Sequence, residues 1–216
     1  MLNIKELLDE VKASPYREIK ICAPHTGVVS FKEVASGDTV VGPSGKWKEK
    51  SGTILAQITR ENNTKPLFAT EKGIVEKVFT ELEGQFVEAG EVLLVLKHYL
   101  TRNEVIELIL QKALHLFHAP ERAKYYFAPD IDQKLKVANK QSVKVHDGKE
   151  LFIVSRMKRE TPLVYSGPEG IIYSVYFQRG DNVDAGQPLI GICPEDQLEQ
   201  IQDVVARVQS EWEEPV

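Results

Sequence analysis

I-T-R-E-N-N-T-K-P-L-F-A-T-E-K-G, at residues 58–73, returns in altered form as V-S-R-M-K-R-E-T-P-L-V-Y-S-G-P-E-G at residues 154–170. The second stretch has one extra residue, Gly167. The glycine-centred segments that follow each stretch also match, so the chain is predicted to be a tandem repeat of two related lobes. These segments are Gly73-Ile74-Val75 and Ala89-Gly90-Glu91 in the first copy, and Gly170-Ile171-Ile172 and Ala185-Gly186-Gln187 in the second.

The two stretches differ most informatively at the tip of the unit. The second copy has Met157-Lys158 where the first has Glu61-Asn62. A lysine side chain ends in an amine that can form an amide with a carboxylic acid, whereas an asparagine side chain has no such amine. The sequence therefore predicts that the second lobe can carry a covalently attached group at this position and that the first lobe cannot.

A shorter pattern inside each lobe indicates β structure. A glycine precedes β-branched residues, as in Gly27-Val28-Val29, and a Gly-Asp-Thr-Val segment follows at residues 37–40. Short segments rich in Val and Ile and closed by glycine are typical of all-β units with tight turns. A half-motif used twice implies two interlocked sheets that bury both apolar faces. We therefore predict a mainly β fold of two flattened barrels.

The spacing of prolines predicts where the lobes differ in length. Pro24 lies 42 residues before Pro66, and Pro129 lies 33 residues before Pro162. The difference predicts a nine-residue insertion in the first lobe, near residues 42–47. In the first half of the second lobe, Asp132 and Ser142 are expected to stand where the first lobe has glycines.

Three helices are predicted outside the barrels. The first lies within residues 1–15, has an apolar stripe at helical spacing and ends at Pro15. The second covers roughly residues 101–118 and is apolar on most sides, which favours a packed spacer over a flexible linker. The third covers about residues 195–212, and its stripe is expected to pack within the chain rather than on a partner. That stripe consists of Leu198, Ile201, Val205, Val208 and Trp212.

These elements divide the chain into five segments. Each lobe is close to the lower size limit for an independent core, so the helices are expected to add buried surface. The segments are an N-terminal docking helix (1–15), a lobe without a carrier lysine (18–98), a helical spacer (99–124), a lobe with a candidate carrier lysine (125–194) and a C-terminal helix (195–216).

Composition narrows the range of partners and locations. The chain has 216 residues, a formal net charge of −5 and 27% charged residues, so no basic face for nucleic acid is expected. There is no apolar run long enough for a transmembrane helix and no signal-peptide pattern at the start, so no membrane association and a cytoplasmic location are expected. Cys22 and Cys193 show no metal or redox spacing and are predicted to be reduced thiols.

No catalytic motif stands out in the sequence. His115 and His118 would lie one turn apart on the spacer helix, a spacing that can present two metal ligands. No cysteine or carboxylate accompanies them at ligand spacing, so packing on a helix face is the preferred interpretation. Neither a metal site nor a catalytic residue is predicted.

The layout of paired half-motifs around a hairpin that bears Met157-Lys158 resembles the biotinyl/lipoyl carrier domain, whose fold is the barrel-sandwich hybrid. With Glu160 nearby, the hairpin is closer to the biotin carboxyl carrier type than to the lipoyl type. Biotinyl members typically place the lysine within Glu-Ala-Met-Lys-Met, and the matching window here is Ser155-Arg156-Met157-Lys158-Arg159. The resemblance extends over roughly residues 18–98 and 125–194.

This resemblance implies that Lys158 is the attachment site of biotin, with Met157 beside it. Biotin ligase and the subunits of a multisubunit carboxylase would then be the partners, and this chain would act as a carrier without catalytic residues of its own. The alternative is an unmodified scaffold or regulatory interaction module of the same fold. The chemical state of Lys158 separates these two hypotheses. Lipoate in place of biotin, and homo-oligomerisation, both stay open.

Overall fold

A computed structural model describes residues 4–137 and 143–213 of the chain. The described residues form two compact units, one of residues 13–101 and the other of residues 4–12 together with 102–213. No helix within these described ranges has the length and apolar character that crossing a membrane requires.

The first unit contains the first lobe, which is built from two four-stranded antiparallel sheets. One sheet has the strand order β1-β8-β6-β3 and the other has the order β5-β4-β2-β7. The strands are β1 (Tyr16–Cys22), β2 (Gly27–Phe31), β3 (Thr39–Val40), β4 (Ile54–Arg60), β5 (Asn63–Phe68), β6 (Gly73–Val78), β7 (Phe86–Val87) and β8 (Val92–Tyr99). Both sheets send apolar residues into one core, among them Val29, Leu55, Leu93 and Leu96, which are fully buried.

The second unit contains the second lobe, with sheets of order β11-β14-β16-β9 and β13-β12-β10-β15, and four helices. The helices are α1 (Ile4–Ala13), α2 (Arg102–Ala113), α3 (Pro129–Val137) and α4 (Leu198–Glu211). The strands are β9 (His115–His118), β10 (Ala123–Phe127), β11 (Lys144–Val145), β12 (Glu150–Arg156), β13 (Arg159–Val164), β14 (Gly170–Val175), β15 (Asn182–Val183) and β16 (Pro188–Cys193).

Aromatic side chains distinguish the core of the second lobe. Phe152 is fully buried and stacks on Phe127, with 5.0 Å between ring centroids, and on Phe117, with 6.0 Å. The first lobe has Phe31, Ala56 and Ile21 at the corresponding strand positions, so its core is mostly aliphatic. Helix α4 packs on α2, and α2 contacts β9 and β16.

The two lobes share one pairing register. In the β4–β5 hairpin Ile54 pairs with Phe68 and Arg60 with Asn63, and in the β12–β13 hairpin Glu150 pairs with Val164 and Arg156 with Arg159. Each member of the second hairpin follows its counterpart by 96 residues. The two hairpins have a register shift at the same place, and β4 and β12 have the same alternation of buried and exposed residues.

This register corrects the alignment that the proline spacing predicted. The residue equivalent to Pro24 is Pro120, because Ile19 pairs with Leu96 as His115 pairs with Ile192. The first lobe does have nine extra residues between β3 and β4, but the second lobe has nine extra residues between β10 and β11. Those residues include α3, so Asp132 lies in a helix rather than at a glycine position. Ser142 lies outside the described residues.

The predicted mainly β fold with barrel-like sheet pairs is confirmed, but two details of the helices were wrong. The described part of the chain contains four α-helices rather than three, because α3 was not predicted. The spacer helix ends at Ala113 rather than at 118, and the next residues form β9, which pairs with β16. His115 and His118 therefore lie on a strand, where an odd separation places them on opposite faces. The sheets of the second lobe thus begin well before residue 125.

Two glycines show why the lobes need small residues at the same place. Gly73 and Gly170 each begin a strand in the middle of a sheet. A Cβ atom at Gly73 would lie 2.7 Å from the carbonyl oxygen of Lys97, and one at Gly170 would lie 2.5 Å from that of Cys193. The neighbouring strand approaches too closely for any side chain, and the requirement is steric rather than that of a turn.

Candidate functional site

Met157 and Lys158 are the two central residues of the turn between β12 and β13. Arg156 and Arg159 are the last paired residues before this turn. The φ angles are 47° at Met157 and 63° at Lys158, so both residues have the left-handed conformation of a two-residue type I′ hairpin. Asn-Gly is favoured in such a turn, and residues with large side chains adopt this conformation at a cost of about 1–2 kcal/mol each. Met157 and Lys158 therefore make this turn less stable than Asn-Gly would.

The side chains at the apex extend into solvent. Met157 is 86% exposed, and Lys158 is exposed as well. Among residues 4–137 and 143–213, no carboxylate forms an ion pair with the ammonium group of Lys158. Its amine is therefore accessible to an enzyme that joins it to a carboxylic acid. Forming that amide removes the positive charge and lengthens the side chain.

The base of the hairpin is fixed to a neighbouring loop of the same lobe. The guanidinium group of Arg156 forms an ion pair with the carboxylate of Glu121. The hydroxyl of Tyr125 donates a hydrogen bond of 2.6 Å to the carbonyl oxygen of Glu121. Burial raises the pKa of Tyr125, so its hydroxyl keeps the proton that it donates. The apex therefore lies on a supported pair of strands.

The first lobe has the same turn with different chemistry. Glu61 and Asn62 occupy the central positions with φ angles of 49° and 64°, between the paired residues Arg60 and Asn63. Asparagine adopts the left-handed conformation more readily than most residues. The amide of Asn62 cannot be acylated as an amine can, so the first lobe offers the shape of the apex without its nucleophile.

The sequence predicts that Met157 and Lys158 lie together at a tip, and the structure brings both to one turn. The sequence did not indicate Glu121, which contacts the base of the hairpin, or Tyr125, which binds Glu121. The signal for Glu121 was its position after Ala119-Pro120, which matches Ala23-Pro24 in the first lobe. This match makes Pro120, rather than Pro129, the equivalent of Pro24.

The second lobe thus combines two four-stranded sheets with an exposed lysine at the apex of a hairpin. Residues 115–192 match the family described as biotin-requiring enzyme, the biotin/lipoyl attachment domain. The second lobe is therefore similar to biotinyl/lipoyl domains, and the resemblance expected from the sequence is confirmed for it. Domains of this family bind biotin or lipoate covalently.

Among solved structures, this chain is similar to one described as "Structure and function of a single-chain, multi-domain long-chain acyl-coa carboxylase". The match has 14% sequence identity and a TM-score of 0.31, and it covers 88% of this chain. This chain spans 22% of the length of that carboxylase. No curated protein sequence matches the chain.

The residues at the apex of the second lobe fit a covalently bound prosthetic group. The amine of Lys158 is exposed, stands at the end of a supported hairpin and has no ion-pair partner in the described part of the chain. Biotin or lipoate would be attached there through an amide. This chain's residues would then hold the base of the attached arm and keep it clear of the barrel surface.

Proposed function

We propose that the second lobe is a biotin carboxyl carrier that presents biotin on Lys158 to partner subunits of a carboxylase. The observation that carries this proposal is the exposed Lys158 at a type I′ apex, directly after Met157, in a domain of the biotin/lipoyl attachment family. The Met-Lys pair favours biotin over lipoate. The partners would make and break the bonds of the carried group.

The chain's contribution is to position the attached arm. The ion pair of Arg156 with Glu121 and the core residues of β12 hold the hairpin, so the arm would pivot at Lys158 rather than at the barrel. A tethered group that can visit two active sites reaches each at a high effective concentration. The first lobe would serve as a structural or docking copy of the fold without a carrier lysine.

The free cysteines support a cytoplasmic location for this carrier. Cys22 and Cys193 form no disulfide, and Cys193 is buried. Burial raises the pKa of the Cys193 thiol to about 11, so this thiol stays protonated and inert at neutral pH. Unpaired thiols are typical of a reducing compartment.

A second candidate function rests on the residues that flank the lysine. Arg156 and Arg159 stand where biotinyl members have a small and an apolar residue, and a biotin ligase would meet two cations there. This departure favours an unmodified scaffold or regulatory module that docks on carrier partners. The two hypotheses differ in one measurable property, the mass of the chain.

Intact-mass spectrometry of the full chain from its own source tests the proposal. We expect one biotin-sized adduct, located at Lys158 by peptide mapping and absent from Lys158→Arg. As a matched control, Asn62→Lys places a lysine at the same turn of the first lobe. We expect that lysine to stay unmodified, because it follows Glu61, whereas Lys158 follows a methionine. An unmodified Lys158 in cells with active biotin ligase would favour the scaffold, and a lipoyl-sized adduct would reject biotin.

A further inference from the structure

The two lobes differ at the residue before the glycine that introduces β7 and β15. This residue is Glu83 in the first lobe and Arg179 in the second, because β7 and β15 pair with β2 and β10 in one register. The carboxylate of Glu83 accepts a hydrogen bond of 3.0 Å from the hydroxyl of Ser30 and one of 2.7 Å from the backbone amide of Phe31. The first lobe therefore holds a carboxylate of its own at this edge of β2.

The second lobe has the equivalent backbone amide without that carboxylate. Phe127 corresponds to Phe31, since the two occupy the same place in the pairing with β12 and β4. The amide of Ala128 donates to the carbonyl oxygen of Leu151 on β12, and successive amides of a strand point to opposite edges, so that of Phe127 points away from β12. In the described part of the lobe, no group accepts a hydrogen bond from it. Arg179 cannot supply the missing acceptor, because a guanidinium group only donates.

Tyr126 and Phe127, which flank this amide, both line a cavity of about 360 Å³. Apolar side chains of both sheets and of α3 contribute to the lining, namely Phe127, Val175, Phe177 and Leu135. The ring centroids of Phe127 and Phe177 are 5.3 Å apart, so part of the lining is aromatic. Helix α3 lies among the nine residues between β10 and β11 that have no counterpart in the first lobe, so only the second lobe has this wall. A mostly apolar cavity of this size with a few polar groups is typical of small-molecule sites.

Three charged side chains line the same cavity and leave an excess of one positive charge. The ammonium group of Lys136 lies 2.6 Å from the carboxylate of Asp132, and the guanidinium group of Arg179 lies 3.7 Å from it. The longer separation exceeds that of a hydrogen bond, so Asp132 leaves the donors of Arg179 open to a ligand. The same guanidinium group stands 5.9 Å from the centroid of the Tyr126 ring, which holds it on the side of the open amide.

We propose that this cavity binds a small carboxylate with an apolar body. The ligand's carboxylate would accept a hydrogen bond from the amide of Phe127, as Glu83 does from the amide of Phe31, with the guanidinium group of Arg179 as its counterion. Carboxylates suit this role because they pair with a guanidinium group through two parallel hydrogen bonds. The apolar body would lie against the aromatic lining. The site uses neither Lys158 nor its hairpin, so it does not depend on the proposed carrier function.

Titration of the isotopically labelled full chain with cinnamate, followed by the amide resonances in NMR spectra, tests this proposal. We expect saturable shifts at Phe127 with a dissociation constant of about a millimolar or tighter, the range for a ligand of this size. Cinnamyl alcohol has the same apolar body without the charge, and it should bind at least about tenfold more weakly because it lacks the charge-assisted hydrogen bond. Absence of saturable shifts at Phe127, or equal affinity for the two compounds, would overturn the proposal.

Arg179→Glu introduces the residue that the first lobe has at the equivalent position. We expect the new carboxylate to accept the hydrogen bond of the Phe127 amide, to move its proton resonance downfield and to weaken cinnamate binding at least about tenfold. Lys136→Gln removes only the second cation and should weaken binding about two- to fivefold. Unchanged resonances in β16 would show that a variant keeps the fold.

Glu83→Arg is the matched change in the first lobe. It frees the amide of Phe31 in a lobe that has no wall equivalent to α3, so we expect no cinnamate site there and unchanged binding at Phe127. Cinnamate binding at Phe31 in this variant would overturn the role of the cavity. Undiminished binding in a folded Arg179→Glu chain would overturn the carboxylate site itself.

Discussion

Lys158 has a backbone conformation that its side chain disfavours, and the same is true of Met157. Elsewhere in the lobe, residues with positive φ include glycines such as Gly148 and Gly180, which adopt this region without cost. A lysine at this position therefore makes the turn less stable than a glycine would. Sites with function typically show such local conflicts.

We expect Lys158→Gly to stabilise the second unit by about 1 kcal/mol, because glycine removes the cost of the left-handed conformation. Asn62→Gly is the matched change in the first lobe and should give less, since asparagine already tolerates this conformation. Urea unfolding followed by the fluorescence of Trp212, which is buried in the second unit, would measure the Lys158→Gly effect. A stability loss in this variant would contradict the strain at the apex.

The two cysteines should differ sharply in reactivity. Burial, with a smaller contribution from Asp196, raises the pKa of Cys193 from 9.0 to about 11. At pH 8 we expect iodoacetamide to label the partly exposed Cys22 in the folded chain and to label Cys193 only on unfolding. Rapid labelling of Cys193 in the folded chain would show that the site opens.

The same shift makes stability depend on pH in the alkaline range. A thiol whose folded-state pKa is higher than its unfolded value binds its proton more tightly when folded. Its contribution is complete below pH 9 and is lost as the pH rises towards 11. Tyr165, whose pKa burial raises from 10.0 to about 12, extends the loss to higher pH. Unfolding measured from pH 8 to 11 should therefore show decreasing stability of the second unit.

At the scale of elements, α4 shows how one helix completes the second unit. Ile201, Val204 and Val208 are buried, and Trp212 just after the helix is 6% exposed. Val205, which the sequence placed in the stripe, is only partly buried, and Val204 takes its place. The helix packs on α2 within the same unit, which agrees with the expected packing within the chain.

We expect Ile201→Ala to lower the free energy of unfolding by about 2–5 kcal/mol, because it leaves a cavity beneath the buried face of the helix. Glu199→Ala, at an exposed position of the same helix, should change it by no more than about 0.5 kcal/mol. Truncation at Pro194 should expose apolar surface and lower the unfolding temperature without changing the oligomeric state. A truncated chain as stable as the whole one, and altered only in self-association, would indicate a helix that serves a partner.

At the scale of the whole molecule, the compact units are not continuous in the sequence. Helix α1 precedes the first lobe in sequence, yet residues 4–12 belong to the second unit. Lys12 forms an ion pair of 3.0 Å with Glu211 of α4, and Leu7 and Leu8 are buried. In the sequence, the first lobe is thus inserted between two parts of the second unit.

Deleting residues 1–12 should therefore destabilise the second unit, although the first lobe is nearer in sequence. Burial of leucine contributes about 1.5–3 kcal/mol per side chain, so a loss of several kcal/mol is expected. Hydrogen exchange in the equivalent strands β4 and β12 provides the comparison, because the two have the same burial pattern. We expect faster exchange in β12 and unchanged exchange in β4. The reverse result would place the helix with the first lobe.

The sequence by itself determined the β class, the division into lobes and the position of Lys158 at a tip, because these follow from local rules. Glycine spacing and β-branched segments specify strands, and the match of residues 58–73 with 154–170 aligns the two hairpins. Segments with the same spacing of apolar residues and the same turn length occupy equivalent positions in the two lobes.

Only the tertiary structure decided what depends on distant partners. The stretch from His115 to His118 continues an apolar run, and periodicity cannot tell a short strand from the end of a helix until β16 pairs with it. Helix α3, whose nine residues replace a loop, was not evident from the sequence either. The ion pair of Glu121 with Arg156 joins residues that are distant in sequence and meet only in the folded lobe. The membership of α1 in the second unit likewise depends on surfaces that come together only after folding.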